Sequence, residues 1–125
     1  DRMLGVVARH ADVWNTWASP DTLRSRGAVL DERCRTIGRD PATVERSVQA
    51  LVKVTDDRAE ARAFLESAAP RAAFAGPAEA FADLVGRWAE AGAAEVVVPD
   101  LHLGSGSARL EAMDALRAAV EEAMA

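Results

Sequence analysis

Gly92-Ala93-Ala94-Glu95-Val96-Val97-Val98-Pro99 places three successive valines between a glycine and a proline. A run so short and so β-branched reads as a strand that is apolar on both faces. Strands of that kind belong to parallel sheets covered by helices. Upstream, Gly76-Pro77 opens a helix whose apolar face is Phe81, Leu84, Val85 and Trp88, closed by Gly92. Downstream, Leu101 to Gly106 reads as a Gly/Ser loop, and Ser107 is expected to cap a last helix carrying Leu110, Met113, Leu116 and Val120. A strand between two helices is the unit from which the rest of the chain can be read.

Working toward the N-terminus, the period changes to two between Val44 and Thr55. There Val44, Arg46, Val48, Ala50, Val52 and Val54 alternate with Ser47, Gln49, Leu51 and Lys53, so one strand is expected. Asp56-Asp57 then caps an Ala-rich helix reaching about Ser67, while the stretch from Ala68 to Ala75 carries no clear pattern. Before the strand, Ser19-Pro20-Asp21 starts a helix with Leu23, Gly27, Leu30, Cys34 and Ile37 on one face and Gly38 as its stop. Asp40-Pro41 opens a short turn. Ala11 to Trp17 reads as a strand, and Arg2 to His10 as a helix facing inward through Met3, Val6, Val7 and His10. Strands alternating with helices predict parallel βα units in one continuous fold over residues 1–125.

Composition removes several classes of function. The 125 residues hold 15 Lys and Arg against 20 Asp and Glu, a formal net charge of -5, with no basic cluster to meet nucleic acid or anionic lipid. No apolar run approaches the roughly 20 residues that span a bilayer, and no secretory leader pattern is present. A cytoplasmic location is the default expectation. Cys34 is the only cysteine, so neither an internal disulfide nor a multi-cysteine metal site can form, and no metal is expected.

Three segments carry a resemblance to a known family. Arg2-Met3-Leu4 leads into Val7-Ala8-Arg9-His10-Ala11-Asp12-Val13-Trp14-Asn15. Ser19-Pro20-Asp21 opens a helix closing with Arg33-Cys34 and Gly38-Arg39-Asp40-Pro41. Ala75-Gly76-Pro77-Ala78-Glu79 runs on to Ala89-Glu90-Ala91-Gly92-Ala93 and Glu95-Val96-Val97-Val98-Pro99-Asp100. In this order the chain resembles the C-terminal part of luciferase-like monooxygenases, with His10 at an aromatic position and Val13 at a glycine of the family pattern. The resemblance implies an α/β fold, the C-terminal part (about half) of a (β/α)8 TIM barrel, which typically takes about 250 residues. It implies a flavin- or deazaflavin-dependent oxidoreductase acting on a small-molecule substrate. The cofactor would be coenzyme F-420 or FMN, and the pattern is most like the branch that uses F-420. It also implies that the first strands and a glycine loop before Arg2 lie outside this sequence, so the chain alone is expected to be inactive and to hold no cofactor tightly. An open piece of barrel exposes strand edges, so a homo-oligomer, built by two-fold pairing, is expected. A non-catalytic α/β barrel remnant, or a self-associating interaction module, is the alternative.

Chemistry in such barrels sits at the C-terminal ends of the strands. Trp14 and Trp17 can wall a flat ring or pack beneath the loops, and Asn15 can bond to cofactor or substrate. Asp100 and His102 follow the last strand, and Asp100 is expected, with Trp17, on the substrate face. The histidine suits proton transfer near neutrality, or is a solvated loop residue. The resemblance implies a cofactor phosphate at Arg2, in the first turn of its helix. Gly104-Ser105-Gly106-Ser107 reads either as a phosphate nest or as a turn with a serine cap.

Overall fold

The computed structural model describes all residues, 1–125. Helix α1 (Arg2–His10) leads to strand β1 (Val13–Trp17), helix α2 (Pro20–Thr36), a 3-10 turn (Pro41–Thr43) and strand β2 (Glu45–Gln49). Strand β3 (Leu51–Val54), helix α3 (Arg58–Ala68), strand β4 (Ala73–Gly76), helix α4 (Ala78–Glu90) and strand β5 (Glu95–Val97) follow. A 3-10 turn (Asp100–His102) and helix α5 (Gly106–Met124) complete the chain. One parallel sheet has the order β1-β2-β5, and β3 pairs in parallel with β4.

The stretch expected as one strand, Val44 to Thr55, is two. Both neighbours of β2 run out at the same level, since Trp17 and Val97 each pair with Gln49. Beyond Ala50 the backbone groups need another partner, and β4 supplies it from Leu51↔Ala73 to Val54↔Gly76. The patternless stretch before Gly76 thus holds a strand created by pairing.

Helices cover one face of the three-stranded sheet. Leu23, Gly27, Leu30 and Cys34 of α2 are buried as their spacing predicts, as are Phe81, Leu84 and Trp88 of α4. The inward face of α1 differs from the expected one. Leu4 and Ala8, one turn apart, pack against α2, while Met3, Val6 and His10 are exposed. Ile37, Leu110 and Met113 are exposed as well, and Leu116 alone of α5 is fully buried. Strand β5 lies at the sheet edge with Val96 and Val97 half-buried, so the double-sided burial expected of it is incomplete. Helix α5 begins at Gly106 with Ser105 as its N-cap residue, two positions before the expected serine.

The Gly38-Arg39-Asp40-Pro41 run is a joint. Gly38 takes φ 73°, which stops α2 in the left-handed region. The Arg39 guanidinium donates to the carbonyls of Ala8 and Ala11 at 2.9 and 2.8 Å, satisfying the end of α1, and to Thr43 Oγ1 at 2.9 Å. The Asp40 carboxylate accepts from Ala42 N at 3.0 Å and caps the 3-10 turn. The joint ties the end of α1 to the start of β2.

Between α2 and β2 the largely buried Arg46 guanidinium pairs with Asp31. A Cβ on Gly27 would stand 2.6 Å from Arg46 Nη1, so the glycine makes room for this pair. Gly27→Ala is therefore expected to destabilise the chain by up to about 1 kcal/mol, displacement of the buried, ion-paired end of Arg46 outweighing the gain in helix propensity. In an Arg46→Met background the same change gains up to about 1 kcal/mol of helix propensity. Urea unfolding of the four chains reads the reversal of sign, and the same sign in both backgrounds would refute the steric account.

A second prediction concerns the turn from β3 into α3. Glu60 accepts from Thr55 Oγ1 at 2.8 Å and pairs with Lys53 at 3.1 Å. The Thr55 hydrogen bond, then the bond and charge of Lys53, hold its carboxyl below the ordinary glutamate value. A lowered folded value means stabilisation that is complete above the unfolded-chain value, about 4.3, and lost as pH falls through the folded one. Thermal melts in acid should show a smaller loss for Glu60→Gln than for the parent. Because the pair is exposed, added salt should narrow the difference.

Candidate functional site at the strand ends

The two faces of the sheet differ in chemistry. On the helix-covered side stand Trp14 and Thr16 of β1, Arg46 and Val48 of β2 and Val96 of β5, aligned by register. On the open side the register stacks three rows: Val13 with Glu45, Asn15 with Ser47 and Glu95, and Trp17 with Gln49 and Val97. The last row is at the C-terminal ends of all three strands, where the backbone leaves the sheet.

Trp14 is 8% exposed and belongs to the hydrophobic core, on the face opposite Asn15. Trp17 is 41% exposed and is in register with Gln49 at the C-terminal end of the sheet. Its direction is set from behind. Ala18, the next residue, is buried, and its carbonyl accepts a 2.9 Å hydrogen bond from the buried Trp88 indole. Ser19 then caps α2 by accepting from Thr22 N at 3.2 Å.

The middle row is a hydrogen-bonded chain across all three strands. Asn15 Nδ2 donates to Ser47 Oγ at 2.9 Å, and the Ser47 hydroxyl donates to Glu95 Oε1 at 2.6 Å. Ser47 is 1% exposed, the one buried polar residue of the chain, and its satisfied hydroxyl is consistent with that burial. Ser47, Gln49 and Glu95 did not stand out in the sequence, where the first two are polar positions of an alternating strand and Glu95 opens a strand read as apolar on both faces. Their outward positions were the available signal, and the strand register that joins them to Asn15 was not.

Arg2 lies at the same end of the sheet as Trp17. Helix α1 precedes β1, and Asp1 forms an ion pair with Arg26 of α2, whose N-terminus follows directly from Trp17 through Ala18 and Ser19. Arg2 is exposed. Asp100 and His102 occupy the 3-10 turn after β5, which packs against β3. The Asp100 carboxylate accepts from Arg109 Nη1 at 2.9 Å, and Arg109 Nε donates to the Gly104 carbonyl at 3.0 Å. This clamps the Gly104-to-Ser107 turn to the start of α5. The His102 ring meets the edge of Phe64 of α3 at 5.0 Å. Asn15 and Trp17 are thus brought together with Gln49 on the open face. Trp14 is directed away from it, and Asp100 and His102 form a separate contact with α3 and α5.

The donor set suits one side of a flat heteroaromatic ring. A half-exposed indole offers a stacking surface, and the amides of Asn15 and Gln49 offer both hydrogen-bond donors and acceptors. Arg2 adds a cation at the same end. No group of His, Cys, Asp or Glu is placed to hold a metal ion, and no helix is long and apolar enough to cross a membrane.

The sequence pattern of the luciferase-like monooxygenase family matches residues 1–125. No curated protein matches the chain. Among solved structures, a long-chain alkane monooxygenase, LadA, superposes with a TM-score of 0.73 at 14% identity, over 98% of this chain and 39% of that one. The coenzyme F-420-dependent tetrahydromethanopterin reductase of Methanopyrus kandleri gives 0.71 at 15% identity, over 97% and 48%. An F-420-dependent secondary alcohol dehydrogenase, in complex with an F-420-acetone adduct, gives 0.62 at 19% identity, over 78% and 39%. The chain spans less than half the length of each, so its parallel strands and their helices are part of a (β/α)8 barrel. With the family pattern matched from end to end, the chain belongs to the luciferase-like monooxygenase family.

Proposed function

We propose that the chain forms one wall of the cofactor and substrate site of a flavin- or deazaflavin-dependent oxidoreductase. The observation that carries this reading is the placement of Trp17, Asn15 and Gln49 on the open face at the strand ends, with Arg2 at the same end. Trp17 packs against the ring, Asn15 and Gln49 orient polar groups at its edge, and Arg2 pairs with a phosphate. The bound cofactor supplies the hydride or oxygen-transfer chemistry, and this chain contributes binding and orientation. FMN and F-420 both meet these requirements, and a small organic substrate shares the open face. The chain alone encloses the ring on one side only and leaves it open to water, so no turnover is expected from it.

A second reading rests on a different observation. Strands β1 and β5 are both free edges. A groove of about 460 Å³ between α4 and α5, lined by Phe81, Val85, Met113, Leu116 and Val120, wraps round the β5 edge. Apolar surface beside an unpaired strand favours a second copy of this chain as partner. Sedimentation over a range of concentrations should then show a dimer, and a monomer at all of them would dismiss self-association.

For the first reading, titration with FMN, riboflavin and F-420 followed by ligand fluorescence is the test. Saturable binding of FMN or F-420 is expected, with Trp17→Ala weakening it about tenfold by loss of stacking. Arg2→Ala should weaken FMN and leave riboflavin, which lacks the phosphate, unchanged. Binding indifferent to Trp17→Ala would remove the ring from this face, and no binding at all would support the self-associating module.

A further inference from the structure

The Asn15–Ser47–Glu95 row has a direction fixed by its chemistry. An ionised carboxylate only accepts hydrogen bonds, so the Ser47 proton goes to Glu95 Oε1, 2.6 Å away. Ser47 Oγ is then an acceptor toward its other neighbour, and only the NH2 end of Asn15 can face it at 2.9 Å. Ser47 is 1% exposed, which leaves no room for water to take either place. With Nδ2 held, Asn15 Oδ1 points away from the row, without a hydrogen bond inside the chain.

We propose that Glu95, acting through Ser47, is a positioning residue that turns the carbonyl oxygen of Asn15 toward the open face, so that the ligand taken there presents a hydrogen-bond donor, a hydroxyl or a ring N–H. The proposal rests on the reading of the open face as the ligand-binding face. Charge at Glu95, two strands away, decides which end of the Asn15 amide a ligand meets. Glutamine at 95 removes that decision. Its amide can accept from Ser47 as the carboxylate does, or donate to it. In the second case Ser47 donates to Asn15 Oδ1 and the whole row reverses.

The test has two arms on the isotope-labelled chain, with Glu95→Gln and Ser47→Ala as variants. Glu95 is on an exposed edge strand and the serine change removes one oxygen, so both variants should keep the parent's backbone spectrum. In the first arm, NMR reads the Asn15 side-chain amide protons. One proton is expected to be shifted downfield and slow to exchange in the parent, to lose that protection in Ser47→Ala, and to lose part of it in Glu95→Gln. In the second arm, FMN is compared with an FMN whose ring N–H is methylated. The parent is expected to favour the N–H form about five- to tenfold, and Glu95→Gln to bring the ratio toward one. Asn15 amide signals identical in all three chains overturn the proposal, as does a parent that binds both flavins equally. Failure of both flavins to bind overturns the cofactor reading instead, and the amide signals then decide the direction of the row by themselves.

Discussion

The bond from the Trp88 indole to the Ala18 carbonyl is the contact on which the strand-end arrangement depends. Ala18 sits where β1 has ended and α2 has not begun, so its carbonyl has neither a sheet nor a helix partner. Left buried and unpaired, it would cost about 1–3 kcal/mol. The indole N–H, 70 residues away in sequence, meets it at 2.9 Å from a residue that is itself fully buried. Phe81 meets the Trp88 ring at 6.4 Å, and Phe74 of β4 meets Phe81 at 5.5 Å. One aromatic file therefore connects the end of β1, the inner face of α4 and the second sheet. It leaves Trp17, one residue before Ala18, on the side away from the core.

That fixed point works together with the two-residue period of the strands. Every residue on the helix side of β1 has its open-side neighbour one position away, so holding Trp14 in the core turns Asn15 outward. In β2 the same rule sets Arg46 against Asp31 of α2 and Ser47 between Asn15 and Glu95. The ion pair and the polar row are back to back on consecutive residues. A slip of one residue would bury Glu45 against the helices and expose Val48. The polar row therefore relies on a register that the core specifies.

Much of this was legible in the sequence, for identifiable reasons. The faces of α2 and α4 followed from apolar spacing because both helices pack against the sheet along their length. Strand β1 was legible from its β-branched and aromatic residues, but Trp14, Asn15 and Trp17 read alike as strand-end candidates, and only the structure turns Trp14 to the opposite face. Strand β4 was not legible, since Ala73-Phe74-Ala75-Gly76 has little intrinsic strand preference and is a strand because β3 outruns its other neighbours. The face of α1 was misread in part: Met3 and Val6 look inward by composition but are exposed, whereas the contact with α2 is made by Leu4 and the small Ala8, with Val7 half-buried beside the core. The polar row required knowing that Asn15, Ser47 and Glu95, 32 and 48 positions apart, share one register.

Some of the motifs that carry the family likeness lie at the opposite end of the sheet from the residues proposed to face a ligand. Gly38-Arg39-Asp40-Pro41 closes α1 through the carbonyls of Ala8 and Ala11, just before β1 begins, and turns the chain into β2. Its work is done at the N-terminal ends of the strands, where a barrel is held together rather than where it reacts. Gly92 ends α4 at that same end, ahead of β5, whereas Gly76-Pro77 opens α4 at the C-terminal end of β4. Asn15, Trp17, Gln49 and Glu95, the residues proposed to face a ligand, are set instead by the register of the open face. A sequence can therefore declare the family through its joints while its substrate is written in a few strand-end side chains, and the polarity of the Asn15 row is one such mark.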